Sequence, residues 1–175
     1  HIDTVGKKVL IIGGGNTAMD CCRTSLRLGA DNVKVMYRGT RDRMKSSDWE
    51  LEPALEEDVD LMLNHSPDEY VVENGKLVGM RFSVLDWSKD EKGKLVSQKI
   101  DDVVIPCDTV ILAIGQENSF PWVERDIGLE FDQWEVPVVD PVTYESTIKG
   151  LFFGGDAAFG PKNIIEAVEH GHQAA

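Results

Sequence analysis

Gly13, Gly15 and Ala18 have a spacing that could hold phosphate groups, because they join an apolar segment to a stretch of helical pattern. The first glycine permits a tight turn, the second opens the backbone to a ligand, and the alanine keeps the helix close to the strand. The free N–H groups and the dipole at the start of such a helix attract a pyrophosphate. Asn16 and Thr17 lie in the same turn, so all of these residues are candidate ligands of a nucleotide cofactor.

Basic residues follow the next predicted strand, which covers residues 32–37. An NAD site places a carboxylate at this point for the ribose 2′-hydroxyl, and this sequence has none there. Guanidinium groups instead bind a 2′-phosphate through paired, charge-assisted hydrogen bonds. Arg38 and Arg41 therefore favour NADP, with NAD as a possibility. The alternative is that Arg38, Arg41 and Arg43 form a solvated surface loop.

The elements that must position these residues follow from the periodicity of the apolar side chains. A helix is predicted over residues 16–28, with Gly29 as its C-terminal stop. Ser47 is predicted to cap a short acidic helix over residues 48–57, and a strand follows over residues 60–64. A strand, a helix and a second strand within about 30 residues form the context that the glycine turn requires.

A different pattern covers residues 68–105, where turn residues separate alternating segments. It predicts a three-stranded antiparallel meander inserted as a crossover, in which Phe82 and Trp87 are packing residues. The apolar run over residues 108–115 is predicted to be a buried parallel strand at the centre of the main sheet. The chain up to residue 116 is thus predicted to be an α/β nucleotide-binding domain, a Rossmann-like three-layer parallel sheet with a meander crossover.

The last predicted strand of this domain ends in Gly115, which Gln116 follows. A glycine at the carboxyl end of a parallel strand permits the close approach of a cofactor, and open α/β sheets bind their ligands at that edge. Gly115 and Gln116 are therefore further candidate cofactor ligands.

Residues 117–175 have another organisation, since turn residues dominate up to Gly150 and a helix is predicted from about residue 163. Short strands are predicted over residues 129–131, 136–139 and 151–153. Gly155 and Asp156 follow the last of these strands and precede a second free helix N-terminus. This arrangement could hold a second cofactor.

The composition excludes several classes of partner. The 175 residues include 18 Lys and Arg against 31 Asp and Glu, a formal net charge of −13. This charge would repel a nucleic acid or an anionic membrane surface. No apolar run approaches the length of about 20 residues that spans a membrane, so we expect a cytoplasmic protein. The three cysteines lack metal-ligand spacing and predict neither a disulfide framework nor a metal site.

Taken in order, the motifs resemble the glutamate synthase small (β) subunit family of pyridine-nucleotide flavoprotein oxidoreductases. The likeness extends from about Val5 to the C-terminus. It rests on GGGNTAMD at 13–20, RTSLRLGA at 23–30, YRGTRDRM at 37–44, EEDV at 56–59, AIGQ at 113–116, GGDAAFGP at 154–161 and the final EAVEHGHQAA.

The resemblance implies that residues 117–175 are the C-terminal segment of a flavin-binding domain. By this likeness Asp156, which follows Gly155, bonds to the flavin ribityl chain, and the backbone of Asn163 and Ile164 faces the flavin pyrimidine. The positive dipole at a helix start suits the negative charge of a reduced flavin.

The resemblance also implies a reaction, in which NADPH gives a hydride to FAD. Electrons then pass to iron–sulfur clusters or to a partner, such as a catalytic large subunit. Hydride transfer requires placement and exclusion of water rather than an acid or base from the protein, so no catalytic side chain is assigned. The alternatives are an NADH-preferring enzyme of the same fold and a non-catalytic nucleotide-binding or interaction module.

The family's flavin-binding glycine motif and its iron–sulfur cysteines do not occur in these 175 residues. We therefore expect a fragment of a longer protein, which alone binds no FAD tightly and is inactive.

Overall fold

The computed structural model describes residues 4–175 and divides them into two compact units, one up to Gly115 and the other from Gln116. Within the described residues, the first unit contains a parallel sheet, an antiparallel sheet and two α-helices. The second unit consists mainly of turns and ends in two helices. The assignment of the two segments to a nucleotide domain and a flavin domain stays a prediction.

The parallel sheet forms the middle layer of the first unit and has the strand order β3-β2-β1-β7. Its strands are β1 (Lys8–Ile12), β2 (Asn32–Met36), β3 (Asp60–Met62) and β7 (Thr109–Leu112). The last four residues of β1 are buried, because β2 and β7 pair with it on both sides and other layers cover both faces. The carboxyl ends of β1, β2 and β7 therefore lie along one edge of the sheet.

Two helices cover one face of this sheet. They are α1 (Asn16–Arg27) and α2 (Asp48–Glu56). Ala18, Met19 and Cys22 of α1 recur at helical spacing and are fully buried against the sheet. The helix ends where Gly29 adopts a φ of +92°, a conformation that glycine takes without strain.

The meander covers the opposite face. It comprises β4 (His65–Glu73), β5 (Lys76–Lys89) and β6 (Leu95–Pro106), paired antiparallel in that order. Asn74 and Gly75 both have positive φ values, as a tight hairpin turn requires. Phe82 is fully buried in a cluster with Leu10 and Met36 of the parallel sheet, so the predicted packing role of Phe82 is confirmed. Helices, parallel sheet and meander form the predicted three layers.

Three details of the first unit differ from the sequence prediction. The strand β7 lies at the edge of the parallel sheet, not at its centre, and Leu112 at its end is exposed. It is an edge strand because, among residues 4–175, only β1 pairs with it. The strand β3 stops at Met62, since Asn64 turns the chain with a φ of +61°. Ser47 occupies the N-cap position of α2, but its hydroxyl makes no capping hydrogen bond.

The second unit contains α3 (Asp156–Phe159) and α4 (Ile164–Ala174), of which only α4 was predicted. The three short strands predicted here are wrong, because only isolated bridges form. These bridges are Phe131 to Pro137, Val139 to Ser146 and Glu145 to Phe152. Pro137, in the first of these bridges, lacks the N–H group that a longer ladder needs. Val123, Leu129 and Phe153 form a small core of their own.

Across residues 4–175, no helix combines the length and the apolar character that crossing a membrane requires.

Candidate dinucleotide-binding site

The glycine turn after β1 is packed tightly at Gly13. This residue has a φ of +146°, and a Cβ atom built on it would lie 2.1 Å from the carbonyl oxygen of Ala113. Its N–H group donates to the carbonyl oxygen of Met36, at 3.1 Å. Gly13 therefore joins the ends of β1, β2 and β7, and any side chain there would collide with backbone.

The same turn is open at Gly15. A Cβ atom built there would meet no heavy atom within 4 Å, and the φ of −103° is one that any residue adopts. Within residues 4–175, the N–H groups of Gly14, Gly15, Asn16 and Thr17 find no acceptor. Ala18 is fully buried, which keeps the start of α1 against the sheet. The turn thus presents a row of free amides at the positive end of a helix, as a pyrophosphate requires.

The loop between β2 and α2 wraps around this turn. The N–H groups of Lys45 and Ser46 both donate to the carbonyl oxygen of Gly14, at 3.0 Å. The Asn16 side chain accepts a hydrogen bond from the Ser47 N–H group, also at 3.0 Å. Asn16, a predicted cofactor ligand, therefore also holds the loop in place through its side chain.

Tyr37 connects the glycine turn to the arginines, a role that the sequence analysis missed. A Cβ atom on Gly14 would lie 2.6 Å from the Tyr37 ring, and one on Gly39 would lie 2.9 Å from it. The Tyr37 hydroxyl donates to the carbonyl oxygen of Arg43, at 2.7 Å. An aromatic residue at the end of the strand, directly before the arginines, was the signal that could have identified it.

We call residues 37–43 the basic loop, and its three arginines have different surroundings. Arg38 is exposed and forms no ion pair with any described residue. Arg41 is paired with Asp48 at the start of α2, so its charge is partly neutralised. The guanidinium group of Arg43 lies over the indole ring of Trp87. Arg38 and Arg43 thus lie on a loop that Tyr37 links to the glycine turn, and neither is paired with a carboxylate of the described residues.

Gly115 follows β7, whose last paired residue, Leu112, is in register with Ile12 at the end of β1. Gly115 has a φ of +111° and open space where a side chain would stand, as expected for a position that a ligand approaches. Gln116 is exposed and belongs to the second unit. The cofactor contacts of both residues stay predictions.

In the second unit, Gly155 and Asp156 form the start of α3. Gly155 has a φ of +59°, and its N–H group donates to Nδ1 of His170, at 2.9 Å. That amide is therefore already engaged. The Asp156 side chain is exposed and accepts a hydrogen bond from the N–H group of Lys162, at 3.1 Å. Asp156 retains further acceptor capacity for a ligand, since a carboxylate can accept several hydrogen bonds.

Asn163 caps α4 with its own side chain, which accepts from the N–H group of Glu166 at 2.9 Å. Within the described residues, the N–H groups of Ile164 and Ile165 find no acceptor. The side chains of Ile164 and Ile165 are 83% and 80% exposed. The start of α4 is thus an open helix N-terminus, which fits the predicted contact with a flavin pyrimidine.

The cysteines are poor candidates for redox chemistry. Cys21, Cys22 and Cys107 are all free thiols. Burial raises the pKa of Cys22 to about 11, and it raises the pKa of Cys107 and Cys21 as well. Because the thiolate is the reactive form, these groups stay protonated and inert at neutral pH.

An open glycine turn on a parallel sheet, with a basic loop at the end of the adjacent strand, is typical of a dinucleotide-binding α/β protein. The chain belongs to the pyridine nucleotide-disulphide oxidoreductase family, whose profile matches residues 1–171.

Two relatives agree with this family and confirm the resemblance predicted from the motifs. The chain is 31% identical over 195 residues to the NADPH-Fe(3+) oxidoreductase subunit beta of Geobacter sulfurreducens, covering 98% of this chain and 29% of the relative. It is 34% identical over 182 residues to the glutamate synthase (NADPH) small chain of Halomonas elongata, covering 99% of this chain and 38% of the relative. The chain thus spans less than half the length of either relative, and both are named as parts of larger enzymes.

The fold has a close counterpart among solved structures. The crystal structure of thioredoxin reductase from T. acidophilum superposes with a TM-score of 0.75 at 21% sequence identity, covering 96% of this chain and 50% of that one. At this identity the likeness shows the fold alone, and it confirms the predicted fold class.

Proposed function

We propose that this chain binds NADPH on the glycine turn, within an enzyme that transfers a hydride from NADPH to FAD. The observation that carries the proposal is the row of free N–H groups from Gly14 to Thr17 around the open Gly15. Such amides at the start of a helix bind a pyrophosphate without a side chain in the way. The two relatives, both named for NADPH, support the choice of coenzyme.

The basic loop supplies the preference for the phosphorylated coenzyme. Arg38 and Arg43 hold positive charge that is not paired with a carboxylate of the described residues, and both sit on the loop that Tyr37 ties to the turn. A guanidinium group binds the 2′-phosphate of NADPH, which NADH lacks. Arg41 contributes less, because Asp48 already shares its charge.

The second unit would hold part of the flavin. When bound, FAD supplies the two-electron acceptor for the hydride. The Asp156 carboxylate and the free N–H groups of Ile164 and Ile165 offer an acceptor and donors of the kind that a ribityl chain and a pyrimidine ring need. The protein contributes placement and exclusion of water, so no acid or base is required.

The onward path of the electrons is also a proposal. The relatives are a subunit of an iron(III) oxidoreductase and a chain of glutamate synthase, which differ in their final acceptors. We therefore propose an electron-input subunit that delivers electrons to iron–sulfur clusters or to a catalytic partner. The cytoplasmic location stays a prediction.

An NADH-preferring enzyme is a second candidate, favoured by the ion pair between Arg41 and Asp48. This pair removes one of the two guanidinium groups predicted to bind a 2′-phosphate. Gly39 cannot supply a replacement, because it has no side chain and the ring of Tyr37 leaves no room for one at that position.

Titration calorimetry on the full chain with NADPH and NADH tests both candidates. The wild type is expected to bind NADPH more tightly. Gly15→Ala is expected to weaken both coenzymes by at least about tenfold, because the added methyl group stands where the phosphates approach. Arg38→Ala is expected to weaken NADPH alone, also by about tenfold, since only NADPH carries the 2′-phosphate.

Lys76→Ala, at the exposed start of β5, is the matched control for loss of one positive charge and should change neither affinity. Absence of binding heat with either coenzyme would overturn the proposed function. Tighter binding of NADH by the wild type would establish the second candidate in its place.

A further inference from the structure

We propose that Trp87 positions the basic loop and thereby sets the preference for a 2′-phosphorylated nucleotide. This inference rests on the proposed function and extends it from the loop to the meander. Trp87 is a positioning residue here, because it contacts the arginines and acts through them.

Trp87 makes two contacts with the basic loop. The guanidinium carbon of Arg43 lies 4.4 Å from the centroid of the indole ring. The indole N–H group donates to the carbonyl oxygen of Arg38, at 3.3 Å. A cation over the face of an indole ring is attracted by the negative charge density of that face, and tryptophan gives the strongest such contact. One side chain thus fixes the side chain of one arginine and the backbone of another.

The length of β5 explains how Trp87 reaches the loop. The strand β4 pairs with β5 only as far as His65 and Val84, while β6 pairs with β5 up to Lys89. Residues 85–89 therefore have no strand beside them on the β4 side. The segment after β3 occupies that side, where the N–H group of Leu85 donates to the carbonyl oxygen of Asn64, at 2.8 Å.

Trp87 lies outside the apolar core, which separates its role from that of Phe82. Phe82 is fully buried between the two sheets, whereas Trp87 is half-buried and belongs to none of the three apolar clusters found within residues 4–175. Trp87 therefore does not take part in the packing that joins the two sheets. Its contacts are instead with a guanidinium group and a carbonyl oxygen.

The remaining anchors of the loop hold its backbone and not the Arg43 side chain. The Tyr37 hydroxyl bonds to the Arg43 carbonyl oxygen, and the Asn64 N–H group bonds to the Gly39 carbonyl oxygen, at 3.1 Å. Among the described residues, Trp87 is the one partner of the Arg43 guanidinium group. Loss of Trp87 should therefore leave the Arg43 guanidinium group without a fixed position, while the backbone of the loop stays in place.

The test is titration calorimetry on the full chain with NADPH and NADH as the probes. Trp87→Leu is expected to lower the preference for NADPH by about fivefold and to leave the affinity for NADH unchanged. Trp87→Phe keeps an aromatic face under Arg43 and should retain the preference within about twofold. Trp49→Leu is the matched control, since Trp49 on α2 is 74% exposed and should leave both affinities unchanged.

A double variant shows whether Trp87 acts through Arg43. If it does, Trp87→Leu should change the preference by much less once Arg43→Gln is present, because only the contact with the Arg38 carbonyl oxygen is then left to lose. A further loss from Arg43→Gln to the double variant as large as that of Trp87→Leu alone, an unchanged preference in Trp87→Leu, or an equal loss for both coenzymes would overturn the inference. A wild-type chain that binds neither coenzyme would instead overturn the proposed function, so the two failures are distinguishable.

Discussion

Gly13 and Gly15 belong to one turn, but the structure predicts very different losses of stability for the same substitution. Gly13→Ala is expected to lower the free energy of unfolding by more than about 2 kcal/mol, because the residue has a positive φ and a methyl group would strike the Ala113 carbonyl. Gly15→Ala should change it by less than about 0.5 kcal/mol, since the position is open. Urea denaturation of both variants measures the difference. Equal stabilities would show that the contact with Ala113 does not constrain the turn.

The buried thiol of Cys22 is expected to react slowly in the folded protein. Burial raises its pKa to about 11, and its Sγ atom donates to the carbonyl oxygen of Met19, at 3.1 Å. At pH 8 we expect alkylation by iodoacetamide to be on the order of a hundredfold slower in the native protein than in urea, because the thiolate is the reactive form. Mass spectrometry of the modified peptides measures the rates. The half-buried Cys21 serves as the internal comparison, and similar native rates at both thiols would contradict the expectation.

The residues that could bind a phosphate were predictable from the sequence. The residues that contact them in the fold were not. The arginines after β2 were predicted to bind a phosphate because guanidinium groups suit one, and that role stays a prediction. Nothing in their spacing showed that Arg41 pairs with Asp48 or that Arg43 lies over Trp87. The second contact joins residues far apart in the chain, so it depends on how far β5 extends beyond β4.

Among the elements, the meander depends on Phe82 for its attachment to the parallel sheet. Phe82→Ala is expected to lower the free energy of unfolding by about 3–5 kcal/mol, since it removes a fully buried ring from the cluster around Leu10 and Met36. Val72→Ala on β4 is the control, because Val72 is exposed and its substitution should change the free energy of unfolding by less than about 0.5 kcal/mol. Chemical denaturation compares them. A loss below 1 kcal/mol for Phe82→Ala would mean that the two sheets are held together elsewhere.

The two helices are linked by an ion pair that titrates in acid. Arg23 of α1, with Arg27, holds the pKa of the Glu57 carboxyl below its usual value through hydrogen bonds of 2.8–3.0 Å. Its contribution to stability is therefore present above the unfolded-state pKa and is lost as the pH falls through the lower, folded-state value. Glu57→Gln should flatten the fall in melting temperature below about pH 4.5, while Glu56→Gln should not. An unchanged acid profile in Glu57→Gln would exclude this pair as the cause.

Elements of regular periodicity were predictable, and those that depend on neighbours were not. The helix α1 and the meander follow from spacing and turn residues that act locally. The position of β7 depends on which strands pair with it, a property of the assembled sheet. The prediction of short strands in the second unit failed because the pairing there stops at isolated bridges and does not extend into a ladder, which depends on the partner segment.

For the molecule as a whole, the two units are expected to differ in what they bind. The glycine turn and the basic loop lie entirely within the first unit, so the proposed pyrophosphate and 2′-phosphate contacts would come from one compact body. The second unit offers Asp156 and the start of α4, which would contact only the ribityl and pyrimidine parts of a flavin. The contacts for the adenosine half of FAD are not among the motifs of this sequence.

The resulting prediction is that the 175-residue chain, prepared alone, binds NADPH but not FAD. Binding costs free energy because FAD loses translational and rotational freedom, and contacts with the protein must offset this cost. A few exposed polar groups that contact only part of FAD offset it poorly. We expect calorimetric binding of NADPH together with no stoichiometric flavin absorbance after incubation with FAD and gel filtration. Gly15→Ala, which should weaken the binding of NADPH by at least about tenfold, serves as the control that this binding is specific. A yellow protein with one flavin per chain would show that the second unit forms a complete flavin site.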